Sequence, residues 1–132
     1  MIFNKQFLDA LCKQAKVNPR LRINYDLRNS EQDKSQRMLN ALHPGTVLPV
    51  HRHPDTSETM IVVRGSVREK YYNEAGEVTE VFVLKAGTDQ SILHIPAGMW
   101  HHLECLEAGT VIFEAKDGAY RPICEEDIMK ID

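Results

Sequence analysis

Two histidines and a glutamate, His51, His53 and Glu58, lie close together near the middle of the 132-residue chain. Side chains alternate between the two faces of an extended segment, so His51 and His53 would point in the same direction. Pro54 tends to end a strand, and the turn-forming residues 55–57 would bring Glu58 into the next strand. Two imidazoles and a carboxylate could then converge on one point. Such a set suits a first-row divalent metal with open coordination positions.

A further histidine, His101, follows the turn at residues 96–98 and is the fourth candidate ligand. His102 points to the opposite face of the predicted strand and would become a ligand only if the strand register slipped. His43 and His94 lie outside the pattern, and we interpret His94 as a hydrogen-bonded histidine, with a position at the rim of the site as the alternative. The predicted metal ligands are therefore His51, His53, Glu58 and His101.

The spacing of these residues resembles the motifs of the cupin superfamily. The first motif is matched by Gly45-x5-His51-x-His53-x4-Glu58-x6-Gly65, and the core of the second by Pro96-x-Gly98-x2-His101. Residues 19–24, 36–42, 51–54 and 109–114 are also similar to one branch, the WbuC-type cupin fold metalloproteins. The resemblance implies an all-β fold, a small jelly-roll β-barrel with an N-terminal α-helix and a metal inside. Members of that branch are often encoded near polysaccharide-synthesis genes, which implies a role in polysaccharide biosynthesis.

The second motif departs from the family pattern at two positions. Cys105 stands where the motif usually carries asparagine, and Gln90 stands where its leading glycine is expected. Cys105 should share the inward face of His101. We interpret it as a small buried apolar residue, because free cysteine packs well in a core, with a thiol that reacts near the metal as the alternative. The alternative for the motif as a whole is a cupin that has lost its metal.

The ligand set leaves the identity of the metal open. Three neutral imidazoles and one carboxylate give a site of charge +1 when they bind a divalent ion. Fe, Mn, Ni, Cu and Zn all accept these ligands. The lack of cysteine in the set disfavours only a structural, cysteine-rich zinc site.

A candidate anion-binding arm lies between residues 20 and 33, where Arg20, Arg22 and Arg28 are close together. Arginine presents a fork of donors that matches phosphate or carboxylate. The competing interpretation is a solvated surface segment, which is usual for clusters of charge. The candidate substrate residues are Arg22, Asn24 and Arg37.

Two functions remain open at this point. The first is a metalloenzyme that acts on a small anionic or sugar-related metabolite, with Glu58 as a ligand first and a proton acceptor only if it can detach. The second is a non-catalytic sugar- or metabolite-binding cupin with a structural metal. A catalytic site should have open positions and a cleft, whereas a structural site should be closed and dry.

Composition excludes several other classes of function. A net charge of −3 does not indicate the basic surface that a nucleic-acid-binding protein needs. No apolar run approaches the roughly 20 residues of a membrane span, and the N-terminal residues lack the pattern of a signal peptide. The three cysteines fit reduced thiols better than a disulfide framework. We therefore predict a cytoplasmic protein with a small-molecule ligand and no membrane partner.

The order of predicted elements is a helix followed by short strands. Apolar residues recur at helical spacing from Asn4 to Val17, and turns with glycine separate the later strands. We predict one structural domain made of a helix and arm at residues 1–36, a barrel at 37–120 and a tail at 121–132 that forms a short helix. The predicted strand at 47–53 holds the first two histidines. The next strand, at 59–63, is apolar on both faces, so the N-terminal helix or a second subunit should cover it, and we favour a homodimer.

Overall fold

The computed structural model describes residues 1–130. The first element, α1, spans Lys5–Val17, as predicted. Its N-cap is Asn4, whose side chain accepts a hydrogen bond from the Phe7 amide at 3.0 Å. The helix ends at Asn18, before Pro19, which disfavours a further helical residue in front of it.

Two antiparallel sheets form the rest of the described chain. The strands are β1 (Arg22–Asp26), β2 (Ser35–Leu42), β3 (Glu58–Arg64), β4 (Ser66–Tyr72), β5 (Val78–Lys85), β6 (Ile92–Ile95), β7 (Trp100–Cys105) and β8 (Thr110–Asp117). One sheet has the order β1-β2-β8-β3-β6 and the other the order β5-β4-β7. The sheets pack against each other through one apolar cluster. This arrangement confirms the predicted all-β jelly-roll fold with an N-terminal helix, although the two sheets do not close into the predicted barrel.

The helix covers the outer face of the larger sheet on one side only. Leu8, Leu11 and Ala15 of α1 pack against Leu39 and Ala41 of β2. The alternate residues of β2 therefore face the interior of the molecule. No contact of this kind covers the outer face of β3 within residues 1–130, where Ile61 is 36% exposed and Val63 is 42% exposed. The expectation that the helix covers this strand is wrong, because the helix lies on β1, β2 and β8 instead.

The glycine that closes the first motif, Gly65, packs closely against the backbone of Thr110. It lies between β3 and β4 with a φ of +81°, in the left-handed region that favours glycine. A Cβ atom at this position would lie 2.8 Å from the Thr110 Cα atom. Only glycine lets the turn after β3 pack against the start of β8.

The segment before β3 is not the regular strand that was predicted at residues 47–53. Its only bridge positions within residues 1–130 are at His51, which pairs with His101 and with Ile128. Pro49 has no N–H to donate to a ladder, so pairing cannot extend along the segment. The C-terminal tail supplies partners instead: the Arg52 amide donates to the Asp127 carbonyl at 3.0 Å.

The tail is also more extended than predicted. The sequence predicts a short helix in the tail, and the described part of the tail contains a 3-10 helix of three residues, Glu125–Asp127, between extended stretches. The Met129 amide donates to the Val50 carbonyl at 2.8 Å, which holds this stretch in extended pairing. The last residues of the predicted tail, Ile131 and Asp132, lie outside the described residues. No helix in residues 1–130 has the length and apolarity to cross a membrane.

Candidate metal centre

Three histidines meet at one end of the space between the sheets. His51 and His53 come from the extended segment, and His101 comes from β7. The His51 amide donates to the His101 carbonyl at 3.0 Å, and the return bond is 2.9 Å long. The ring centroids of His51 and His101 lie 4.4 Å apart, and those of His51 and His53 lie 5.0 Å apart. One nitrogen of each ring lies within 4.8 Å of the others, which is close enough to share one metal ion.

The fourth predicted residue, Glu58, reaches the same point from the start of β3. Its Oε2 atom lies 3.4 Å from the His53 Nε2 atom and 3.7 Å from the His101 Nε2 atom. The structure therefore brings the three histidines together and places Glu58 beside two of them, His53 and His101. Arg52, between the two histidines in sequence, pairs with Asp127 instead, with its Nε atom 2.9 Å from the Asp127 Oδ1 atom.

Backbone carbonyls orient two of the rings. The His51 Nδ1 atom donates to the Pro49 carbonyl at 2.9 Å, and the His101 Nδ1 atom donates to the Met99 carbonyl at 2.8 Å. A carbonyl can only accept, so Nδ1 carries the hydrogen and Nε2 presents its lone pair. This support of the distal ring nitrogen is usual for histidines that bind metals.

Two buried polar atoms of the cluster lack a partner. Neither the His101 Nε2 atom nor the Glu58 Oε2 atom has a hydrogen-bond partner within residues 1–130. A buried polar atom without a hydrogen-bond partner lowers the stability of a fold by about 1–3 kcal/mol. Folded proteins contain few such atoms, and two of them side by side indicate a binding site. A lone pair and a carboxylate oxygen that face each other are both satisfied by one cation. The residues therefore fit a metal ion.

Burial sets the charge states of the cluster. It lowers the pKa of His51 to about 4, that of His53 to about 3 and that of His101 to about 4. The rings are thus neutral near pH 7, which is the form that binds metals. The pKa of Glu58 is raised to about 8, mainly by burial and also by the charge of Glu114, while Lys116 acts to lower it. A metal ion would favour the ionised form of this carboxyl group.

A cavity of about 800 Å³ opens onto the cluster. Of the predicted substrate residues, Arg22 and Asn24 line this cavity. Arg37 does not, because it lies on the face of β2 that points away from the interior. Its Nη2 atom donates to Asp33 at 3.0 Å.

The other histidines and Cys105 lie apart from the centre. His102 points to the opposite face of β7, as predicted, and is half-buried. The His94 Nδ1 atom lies 2.9 Å from the Thr59 hydroxyl, so this histidine has a hydrogen-bond partner. Cys105 is 5% exposed and belongs to the apolar cluster between the sheets.

Among the charged residues of the cavity wall that were not singled out from the sequence are Glu69, Glu114 and Lys116. Glu69 is 1% exposed, although it stands in the polar run Arg68-Glu69-Lys70 that indicates a solvated strand. The sequence does contain a signal for its burial. Alternate residues of a strand share a face, and Glu69 lies two residues from the apolar Val67 and two from Tyr71.

Comparison with known proteins supports the fold and leaves the activity open. A family model described as "Domain of unknown function (DUF6016)" matches residues 3–84. No protein of curated function matches the chain. Among solved structures, the capsular polysaccharide assembling protein CapF from Staphylococcus aureus has a TM-score of 0.67 and 20% identity, over 80% of this chain. A recombinant oxalate oxidase in complex with glycolate has a TM-score of 0.64 and 17% identity, over 83% of this chain.

An E162A mutant of Bacillus subtilis oxalate decarboxylase, OxdC, also matches, with a TM-score of 0.54 and 22% identity over 65% of this chain and 22% of that chain. The present chain spans 30% of CapF and 57% of the oxalate oxidase. These solved structures share the fold of the present chain, so they support the predicted cupin fold and leave the activity open. The narrower resemblance to WbuC-type proteins stays a prediction.

Proposed function

The chain belongs to the family described as "Domain of unknown function (DUF6016)", and we propose that it is a metal-dependent cupin enzyme for a small anionic or sugar-related metabolite. His51, His53, Glu58 and His101 would hold the metal, a divalent ion of Fe, Mn, Ni, Cu or Zn. When bound, such an ion polarises a carbonyl or phosphoryl oxygen, or activates water or dioxygen. The chain's own residues place the ligand beside it and exclude bulk water.

The observation that carries this proposal is the cavity of about 800 Å³, which is lined by all four of these residues. His51 and His53 are only partly buried, while His101 and Glu58 lie deeper, at 3% and 7% exposure. An ion held between them would keep a face toward the cavity. Open positions of this kind favour a catalytic metal over a closed structural one. They therefore favour the enzyme over a non-catalytic sugar- or metabolite-binding cupin with a structural metal.

The substrate class is supported by the cavity wall and by the structural neighbours. Arg22 and Asn24 offer donors to an anion or to hydroxyl groups from the side of β1. The solved oxalate oxidase complex holds glycolate, and CapF is described as a capsular polysaccharide assembling protein. On these grounds we include a role in polysaccharide biosynthesis in the proposal.

Elemental analysis of untagged protein tests the metal centre. We expect close to one transition-metal ion per chain in the native protein and almost none in His51→Ala. His94→Ala is the matched control, because His94 is hydrogen-bonded to Thr59 outside the cluster. A His51→Ala protein that keeps its metal would overturn the ligand assignment.

Water access to the metal distinguishes the two functions. In protein loaded with Mn²⁺, an open site lets water exchange at the ion and shortens the relaxation time of bulk water protons. We expect a clear enhancement that a small chelating acid reduces. A loaded protein without enhancement would have a closed site, and the non-catalytic alternative would then replace the enzyme.

A further inference from the structure

Lys116 is a cation of the cavity wall whose position the metal centre does not explain. It lies on β8 between Gln36 of β2 and Glu58 of β3, and its side chain is 14% exposed. Its Nζ atom lies 4.0 Å from the Glu58 Oε2 atom, which is too far for a hydrogen bond. Within residues 1–130 the ammonium group forms no hydrogen bond. A half-enclosed ammonium group in this state offers its donors to a ligand.

Within residues 1–130, no carboxyl group other than that of Glu58 lies within ion-pair distance of Lys116. Glu58 would be used as a metal ligand. The Glu114 Oε1 atom already accepts a hydrogen bond from Asn40 at 3.0 Å. Burial raises the pKa of Glu69 well above its usual range, and the nearby Glu58 and Glu114 carboxyl groups raise it further. The metal centre itself carries a charge of +1, and Arg22 adds another cation to the wall.

We infer that Lys116 anchors the charged group of a small anion whose second oxygen reaches the metal position. This inference rests on the proposed metal site. The ligand class is a hydroxy- or oxo-carboxylate, because its charged group and its second oxygen are separated by a single carbon–carbon bond. The Lys116 Nζ atom lies 4.0 Å from the Oε2 atom of the proposed metal ligand Glu58, so a molecule of this small size is enough to contact both the ammonium group and the metal. An ammonium group near a low-dielectric wall binds a carboxylate far better than a neutral group of the same shape.

Binding of glycolate and glycolamide to Co²⁺-loaded protein tests the inference. The two compounds have the same number of heavy atoms and differ in charge, and the visible absorption of Co²⁺ reports their binding. We expect the native protein to bind glycolate at least about tenfold more tightly, which corresponds to about 1.4 kcal/mol. Lys116→Met should remove most of this preference and leave the affinity for glycolamide almost unchanged. Lys116→Arg should recover part of it.

Lys85→Met is the matched control, because Lys85 is exposed on β5, in the other sheet. This variant should keep the native preference. Equal affinities in the native protein, or an unchanged preference in Lys116→Met, would overturn the inference while the metal site stands. A native protein that binds no Co²⁺ would instead overturn the proposed function.

Co²⁺ content is measured in each variant before the titration. Lys116→Gln serves as a second neutral variant that keeps a polar group in the wall. If both neutral variants lose Co²⁺, Lys116 supports the metal centre rather than the ligand, and the inference is wrong. If either keeps Co²⁺ and loses the glycolate preference, the inference is supported.

Discussion

The two ends of the space between the sheets differ in chemistry although the same strands build both. On β3 the inward residues run from Val62 through Met60 to Glu58, and on β7 they run from Leu103 to His101. One end is a dry apolar core, and the other is a cavity with imidazoles and carboxyl groups. The apolar end holds the strands in place, and the same strands therefore hold the imidazole and carboxyl groups of the polar end in place. Chemistry can therefore vary at one end without loss of the fold.

Gly65→Ala should break the apolar end and produce the largest loss of stability. The added Cβ would overlap the Thr110 backbone, and a positive φ adds further strain. We expect a loss of roughly 3–5 kcal/mol in the free energy of unfolding, in line with severe overpacking in a core. Urea denaturation of the metal-free protein measures it.

Gly87→Ala is the control for that change. Gly87 also has a positive φ, of +73°, but open space around it. It should lose only about 1 kcal/mol, the usual penalty for alanine in this conformation. Equal losses in the two variants would show that the contact with Thr110 is not what requires glycine at position 65.

The apolar end was largely predictable from the sequence, whereas the polar end was predictable only in part. Period-two patterns and turns with glycine give the strands from β4 to β8 within a few residues. The sequence does not reveal that the segment around His51 is irregular. Its backbone hydrogen bonds to residues 127–129 join parts of the chain that are far apart in sequence. Lys116 gave no signal, since a lysine near the end of a strand usually faces solvent. Its burial depends on β2 and β3, which flank it only in the folded sheet.

His101→Ala should break the polar end without damage to the apolar one. His101 is the most buried histidine of the cluster, and its Nε2 atom has no partner among residues 1–130. We expect metal affinity to fall at least about 100-fold, the upper range for loss of support at a metal site. His102→Ala, on the opposite face of the same strand, should keep its metal. Elemental analysis of both variants decides, and loss of metal from both would point to damage to β7 rather than to a lost ligand.

Glu58→Gln should separate metal binding from the stability of the metal-free fold. In the metal-free protein, burial raises the pKa of Glu58 to about 8, from about 4.5 in an unfolded chain. As pH rises from 4.5 to 8, the unfolded chain loses this proton and the folded one keeps it, so the fold becomes less stable. The amide side chain of the variant does not titrate. We expect Glu58→Gln to be more stable by roughly 1–3 kcal/mol at pH 8 and almost equal at pH 4.

The same variant should bind metal more weakly, because an amide oxygen replaces a carboxylate. Denaturation with chelator present, at pH 4 and pH 8, measures the first effect, and metal titration measures the second. A stability difference that does not change with pH would contradict the buried, protonated state of Glu58. A metal affinity equal to that of the native protein would remove Glu58 from the ligand set.

The outer face of β3 gives the smallest expected effect and concerns neither end of the interior. Ile61 and Ile92 lie side by side on β3 and β6, and they are 36% and 60% exposed. We predict that a second copy of the chain covers them in a homodimer. Ile92→Lys should then shift the mass in solution, measured by light scattering, from dimer toward monomer at low concentration. Metal content should not change, since the side chain points away from the cavity.

Val78→Lys is the control for this prediction, because Val78 is 48% exposed on β5 of the other sheet. It should keep the native mass. A native protein that is monomeric at all concentrations would contradict the homodimer. It would also mean that the apolar outer residues of β3 are tolerated in water, as scattered surface isoleucines and valines often are. In that case only the face of β3 that packs between the sheets would require apolar residues, and the apolar residues of its outer face would have no packing role.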